Sequence, residues 1–123
     1  MKLLFSQDEQ MSIRYLVQAL IKADGLVLPE ENVCWNTIAL KLGWELEKHV
    51  FPADYELNTA LAALAVMDED KKRFASAFFT MIILADEQIA PEEAELFRRI
   101  SEVASLPAIP HPACPTILNE YTE

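Results

Sequence analysis

The sequence predicts an all-α fold: a helical bundle of two pseudo-symmetric helical hairpins joined by a middle helix, with an extended proline-rich C-terminal tail. Three observations predict it. A nine-residue segment, Ala-Asp-Gly-Leu-Val-Leu-Pro-Glu-Glu at 23–31, returns as Ala-Asp-Glu-Gln-Ile-Ala-Pro-Glu-Glu at 85–93, an offset of 62 from Asp24 to Asp86. Apolar residues flank each copy at i, i+3, i+4 and i+7, the stripe of an amphipathic helix. No stretch alternates apolar and polar residues convincingly, so no sheet is expected.

The elements follow in order. Residues 1–8 are a lead-in, and Ser6 or Asp8 caps the first helix. That helix runs to about Ala23, with Ile13, Leu16, Val17, Leu20 and Ile21 on its apolar face. Gly25 can take the left-handed conformation that ends a helix. Pro29 suits the first turn of a second helix, where no amide hydrogen is needed. Glu30 and Glu31 sit in that turn, where the helix dipole favours negative charge by about 0.3–1 kcal/mol each. Glu31 is also placed to reach back to the Leu28 amide as half of a capping box. Trp35, Ile38, Ala39 and Leu42 face inward, and Gly43 stops the helix.

Trp44 to Val50 reads as a short helix ended by Pro52. Asp54 then reads as the N-cap of a middle helix through Met67, with Leu57, Ala60, Leu61, Leu64 and Ala65 on one side. Asp68 caps the next helix, which carries Phe74, Phe78, Ile82 and Ala85 to the second corner. The last helix runs from Pro91 to about Ser105, with Leu96, Phe97, Ile100, Val103 and Ala104 inward. Leu16, Val17, Leu20 and Ile21 answer Phe78, Phe79, Ile82 and Ile83, and Trp35 and Ile38 answer Phe97 and Ile100. Glu87 replaces the glycine of the first corner, so a different backbone path is expected there. The expected organisation is a single domain over 1–123, with a repeat at about 10–43 and 70–106 and a tail at 107–123.

The tail holds Pro107, Pro110, Pro112 and Pro115, four of the chain's 7 prolines. That spacing favours extended backbone and excludes a continuous helix. Ile109, Ile117, Leu118 and Tyr121 are apolar enough to dock the tail across the helices; a partner-binding peptide is the other reading.

The 123 residues are 52% hydrophobic, enough for one core, and 20 acidic against 10 basic residues give a net charge of −10. That charge opposes non-specific binding to nucleic acid or anionic membranes and is compatible with cations or with a basic protein surface. Leu3-Leu4-Phe5 is too short for a signal peptide, and the apolar run at 75–85 is too short to span a bilayer. Cys34 and Cys114 lie in unlike contexts and read as free thiols of a cytoplasmic protein.

An Ala-Asp-Gly-x-hydrophobic-x-Pro-Glu-Glu corner after an apolar helix, repeated at about sixty residues, resembles the TerB-like family. That family includes the tellurite-resistance TerB proteins and the amino-terminal domain of the co-chaperone DjlA. The likeness covers roughly residues 8–106 and is strongest over 71–106; the tail has no counterpart in it. The resemblance implies an all-helical bundle with pseudo-twofold character and a link to stress response. It also implies an acidic surface patch serving as a divalent-metal or partner site. The matching positions are Asp24, Glu30, Glu31, Asp86, Glu92 and Glu93.

Two readings of those carboxylates stay open. In one they only accept loop amides and complement helix dipoles. In the other they bind a divalent cation such as calcium or magnesium; with Glu87 the corners offer seven carboxylates, and calcium takes about 6–8 oxygen ligands. The spacing is not that of an EF-hand. His111 and Cys114 have an H-x-x-C spacing, but prolines flank the histidine and the cysteine stands alone, so zinc is not expected; His49 reads as a helix-end residue. No nucleophile–base pairing is evident, and 2 glycines are too few for a phosphate loop, so no enzyme is expected. The expected function is a non-catalytic module that meets a basic protein surface, the alternative a divalent-cation-binding protein.

Overall fold

The computed structural model describes residues 5–23, 29–44, 54–84 and 91–122, apart from the side chains at 29–32, 34 and 122. Six α-helices form there: α1 (Gln7–Ile21), α2 (Pro29–Leu42), α3 (Leu57–Ala65), α4 (Glu69–Ile83), α5 (Pro91–Ala104) and α6 (Cys114–Thr122). The described residues contain no strand, and none of their helices is long and apolar enough to cross a membrane. Both corner loops, 24–28 and 85–90, and the segment read as a short helix after Trp44 lie outside the described residues.

Helix ends match at an offset of 62. Ser6 caps α1, its Oγ accepting the Glu9 amide at 3.1 Å, and Asp68 caps α4, its Oδ1 accepting the Lys71 amide at 2.9 Å. Ser6 and Glu9 form a complete capping box. At the other end of α2, Gly43 turns left-handed at φ 77°, and the Trp44 amide donates to the Ala39 carbonyl at 2.9 Å. At the end of α5, Ser105 does the same at φ 56°, with the Leu106 amide on Ser101 at 3.0 Å. Both are Schellman closures, and one is built without glycine.

α1 and α4 form the centre. Ile13, Leu16, Val17 and Leu20 of one and Phe74, Phe78, Phe79 and Ile82 of the other are fully buried. Aromatic contacts bind the helices together: Phe5 on Phe74 at 5.7 Å, Trp35 stacked on Phe78 at 5.7 Å, and Phe79 edge-on to Phe97 at 6.4 Å. The remaining helices pack in matched pairs. α3 lies on α1 and touches α5, while α6 lies on α4 and touches α2; α1 also meets α5, and α4 meets α2.

α6 thus stands to α4 as α3 stands to α1. The side chains agree: Leu57, Ala60, Leu61 and Leu64 of α3 repeat as Cys114, Ile117, Leu118 and Tyr121 of α6, now at an offset of 57. The offset falls by five because residues 105–113 replace a longer link, 43–56.

This corrects the expectation of an extended tail. Residues 106–110 are non-helical, and Pro110 is polyproline-like at φ −61°, ψ 139°. His111–Ala113 then form a 3-10 turn and α6 follows. Pro112 and Pro115 fall in first turns, where no amide hydrogen is required, so they permit helix rather than exclude it. The docking reading holds: Ile117, Leu118 and Tyr121 are buried and Ile109 is half-buried.

Two smaller expectations change. The middle helix starts at Leu57 with Glu56 as its N-cap, not at Asp54: Glu56 is extended at φ −125°, ψ 167°, and Tyr55 before it packs on the Tyr15 ring at 5.3 Å. Val103 is 52% exposed: the inward line of α5 runs through 93, 97, 100 and 104 and leaves 103 at its edge.

If α6 is as integral as α3, Leu61→Ala and Leu118→Ala each lower stability by about 2–4 kcal/mol in urea unfolding, since each cuts a buried isobutyl side chain back to methyl. A loosely held α6 would leave Leu118→Ala near zero. At the Schellman closures, Ser105→Gly raises stability by about 1 kcal/mol and Gly43→Ala lowers it by a similar amount, read as opposite shifts of melting temperature.

Candidate functional site

The six carboxylates of the corners fare differently. Asp24 and Asp86 lie outside the described residues. Glu30 and Glu31 occupy the first turn of α2, and their side chains are outside the description. Glu92 in the first turn of α5 is exposed. Glu93 is 2% exposed, which corrects the expectation that it belongs to an open surface patch. The cause is register: Glu93 precedes Phe97, Ile100 and Ala104 by four, seven and eleven residues and so shares the core-facing line of α5.

A second concentration of charge forms where α1 and α4 begin. Glu9 and Lys71, 62 residues apart in sequence, meet there: Lys71 Nζ donates to Glu9 Oε1 at 2.8 Å and to Oε2 at 3.0 Å. Oε1 also accepts the Ser6 amide at 2.8 Å, and Lys71 Nζ lies 5.7 Å from the Phe5 ring centre. Burial works to raise the Glu9 carboxyl, but the Lys71 hydrogen bonds, the Ser6 amide and the ammonium charge together hold it below the ordinary carboxylate value. One cation is therefore committed to one carboxylate at the joint.

Around that joint further carboxylates are exposed. Asp8, Asp68, Glu69 and Asp70 are exposed, as is Glu120 at the end of α6. Tyr121 Oη donates to Asp70 Oδ1 at 3.1 Å. Burial and then this bond to a carboxylate push the Tyr121 phenol up, while Arg73 opposes the shift. Burial, and after it the charge of Asp8, likewise raises Tyr55. These carboxylates were not singled out from sequence; Asp8 and Asp70, like Glu9 and Lys71, are 62 apart and so hold equivalent positions of the repeat.

Buried hydroxyls are spent on carbonyls. Ser12 Oγ donates to Ala60 at 2.7 Å, Ser76 Oγ to Pro107 at 2.6 Å, and Thr80 Oγ1 to Ser76 at 2.8 Å. Cys114 is a free, buried thiol whose Sγ sits 3.5 Å from the Pro110 carbonyl; burial pushes it up, against a weaker effect of Thr80. His111 is exposed while Cys114 is buried, and His49 lies outside the described residues. Among the described residues no three His, Cys, Asp or Glu side chains gather as metal ligands would. On the outer face of α5, Arg98 bridges Glu95 and Glu102 in full exposure.

Removing the Glu9 charge gives a signed test of the joint. Its folded carboxyl is lowered, so the stabilisation is present above the ordinary value of 4.5 and is lost as pH falls through the folded value. Glu9→Gln keeps the cap geometry and is about 1 kcal/mol less stable than the parent chain near neutral pH. In urea unfolding that gap closes toward pH 3 (roughly, by linkage).

No protein-family model matches the chain, and no curated protein matches it. Among solved structures, the chain is similar to the crystal structure of a protein of unknown function, PG1108 from Porphyromonas gingivalis W83. The TM-score is 0.79 at 22% identity, covering 96% of this chain and 98% of that one. At that identity the likeness concerns the fold alone.

Proposed function

We propose that this chain is a non-catalytic, TerB-like acidic module of the cytoplasm that docks a basic surface of a protein partner in a stress-response assembly. One observation carries the reading: Asp8, Asp68, Glu69 and Asp70 are each exposed at the starts of α1 and α4, where Lys71 is bound to Glu9 and only Lys72 and Arg73 follow as cations in that turn. The net charge of −10 points the same way, since it steers basic surfaces toward the molecule and repels nucleic acid. The duplicated corner and its apolar flanks support the family likeness. The burial of Cys114 and the engagement of Ser12, Ser76 and Thr80 with carbonyls leave these groups to structure rather than chemistry.

The test is affinity capture from host lysate with the whole chain at ~50 mM and ~300 mM salt, where the Debye length falls from about 14 Å to about 6 Å. Basic proteins are expected at low salt and lost at high salt, and an Asp8→Asn/Glu69→Gln variant should retain several-fold less of them. Capture that ignores both salt and the substitutions overturns the proposal.

A further inference from the structure

The chain has 3 tyrosines, and the fold brings two of them together. Tyr15 lies on α1, and Tyr55 lies just ahead of α3. Their ring centres are 5.3 Å apart, with the planes tilted by 59°. The rings are therefore in contact, toward the short end of the range of about 4.5–7 Å found for aromatic pairs. Both are half-buried, so each keeps part of its surface in water.

The bundle does not require this pair. α1 repeats as α4 at an offset of 62, which sets Ala77 in the place of Tyr15. Counting back two residues from Leu57 and from Cys114 sets Pro112 in the place of Tyr55. The second half thus closes the same junction with a methyl group and a proline ring, and Ala77 is fully buried there. α3 is also held on α1 by other means, since Ser12 Oγ donates to the Ala60 carbonyl at 2.7 Å. Two phenols at this junction are a property of one half, not of the fold.

One chemistry is particular to two phenols in contact, and that is oxidative coupling. Each phenol gives one electron to an oxidant and one proton to solvent or a base, which leaves a phenoxyl radical. The radicals join through ring carbons ortho to oxygen. The hydrogen on each of those carbons then moves to its own oxygen as the ring regains aromaticity. Two electrons pass to the oxidant, two protons are released, and one carbon–carbon bond forms. Rings already in contact make the coupling intramolecular, where free radicals must first find each other. Burial, and after it the charges of Asp8 and Tyr15, push the Tyr55 phenol up. Tyr55 therefore meets an oxidant as the neutral phenol, with a carboxylate within electrostatic range of the proton it loses.

We propose that Tyr15 and Tyr55 are a site of intramolecular oxidative cross-linking, at which a one-electron oxidant of the peroxyl or peroxidase class couples the two rings into a dityrosine. The bond ties the chain ahead of α3 to α1 and restricts the unfolded state, as a disulfide does. Tyr121 is the internal control: it is 3% exposed and its hydroxyl is spent on Asp70.

The test is brief illumination of the whole chain, at micromolar concentration, with ruthenium tris-bipyridyl and persulfate as the one-electron oxidant. The expected product is a single copy lighter by two hydrogens, with the blue emission of dityrosine and a Tyr15–Tyr55 cross-linked peptide in its digest. It should melt at a higher temperature than the untreated chain. Tyr15→Phe and Tyr55→Phe keep both rings and the helical circular dichroism, and each should lower the yield at least about tenfold, while Tyr121→Phe leaves it unchanged. Unfolding in urea before illumination should lower the yield by a similar factor, because the fold holds the rings together. Coupling confined to products of two copies overturns the proposal. So does a cross-link through Tyr121, a yield that survives unfolding or the loss of either hydroxyl, or oxidation that consumes Trp35 and Trp44 while the tyrosines stay uncoupled.

Discussion

α3 and α6 depend on surfaces that neither half supplies alone. α3 is laid on α1 of its own half and reaches α5 of the other; α6 is laid on α4 and reaches α2. A half-chain of three helices would leave Phe74, Phe78 and Phe79, or Ile13, Leu16 and Leu20, without their far-side neighbours. At about 1.5–3 kcal/mol for each large apolar side chain removed from water, that exposure is comparable with the whole margin of a typical domain. Reciprocal cover is therefore the condition for either half to be folded, and it explains why the central residues of α1 and α4 are the most completely buried.

Most of this was legible in the sequence, and the part that was not has a specific cause. The four equivalences from Leu16/Phe78 to Ile21/Ile83 were read from spacing, and all eight side chains are buried. Gly43 and Asp68 were read as a stop and a cap, and both serve so. α6 escaped because two signals misled together. The repeat offset shifts from 62 to 57 across a shortened link, so a search at constant spacing loses α3's counterpart. Four prolines then argue for extended chain, although a proline excludes helix only beyond its first turn.

Glu93 shows the same limit at the level of one side chain. Local rules for helix starts treat Glu92 and Glu93 alike, as carboxylates facing the positive end of a dipole. Helical register separates them by 100° and sends the second toward the core. Glu93, Phe97, Ile100 and Ala104 lie on one line, and Glu31, Trp35, Ile38 and Leu42 occupy the equivalent positions of α2. A pattern read by charge alone groups carboxylates that the bundle then divides between core and water. Glu9 and Lys71 show the converse, because their meeting needs α1 and α4 to be side by side, which no local rule supplies.

A skeleton that repeats this closely also indicates where selection has been free to differ. Positions that serve the common core keep their character in both halves: Leu16 and Phe78, Ile38 and Ile100, the paired caps Ser6 and Asp68, the paired left-handed closures Gly43 and Ser105. Outside the core nothing in the packing demands likeness, so a difference there reflects what the surface meets rather than what the fold requires. The charged outer face of α5 is satisfied by water and by its own ion pairs, which at full exposure add little to stability. On α2 the equivalent positions include Val33 and Leu40, 64% and 65% exposed. In a chain whose halves otherwise agree to the level of helix caps, the informative surfaces are those where equivalent positions cease to match.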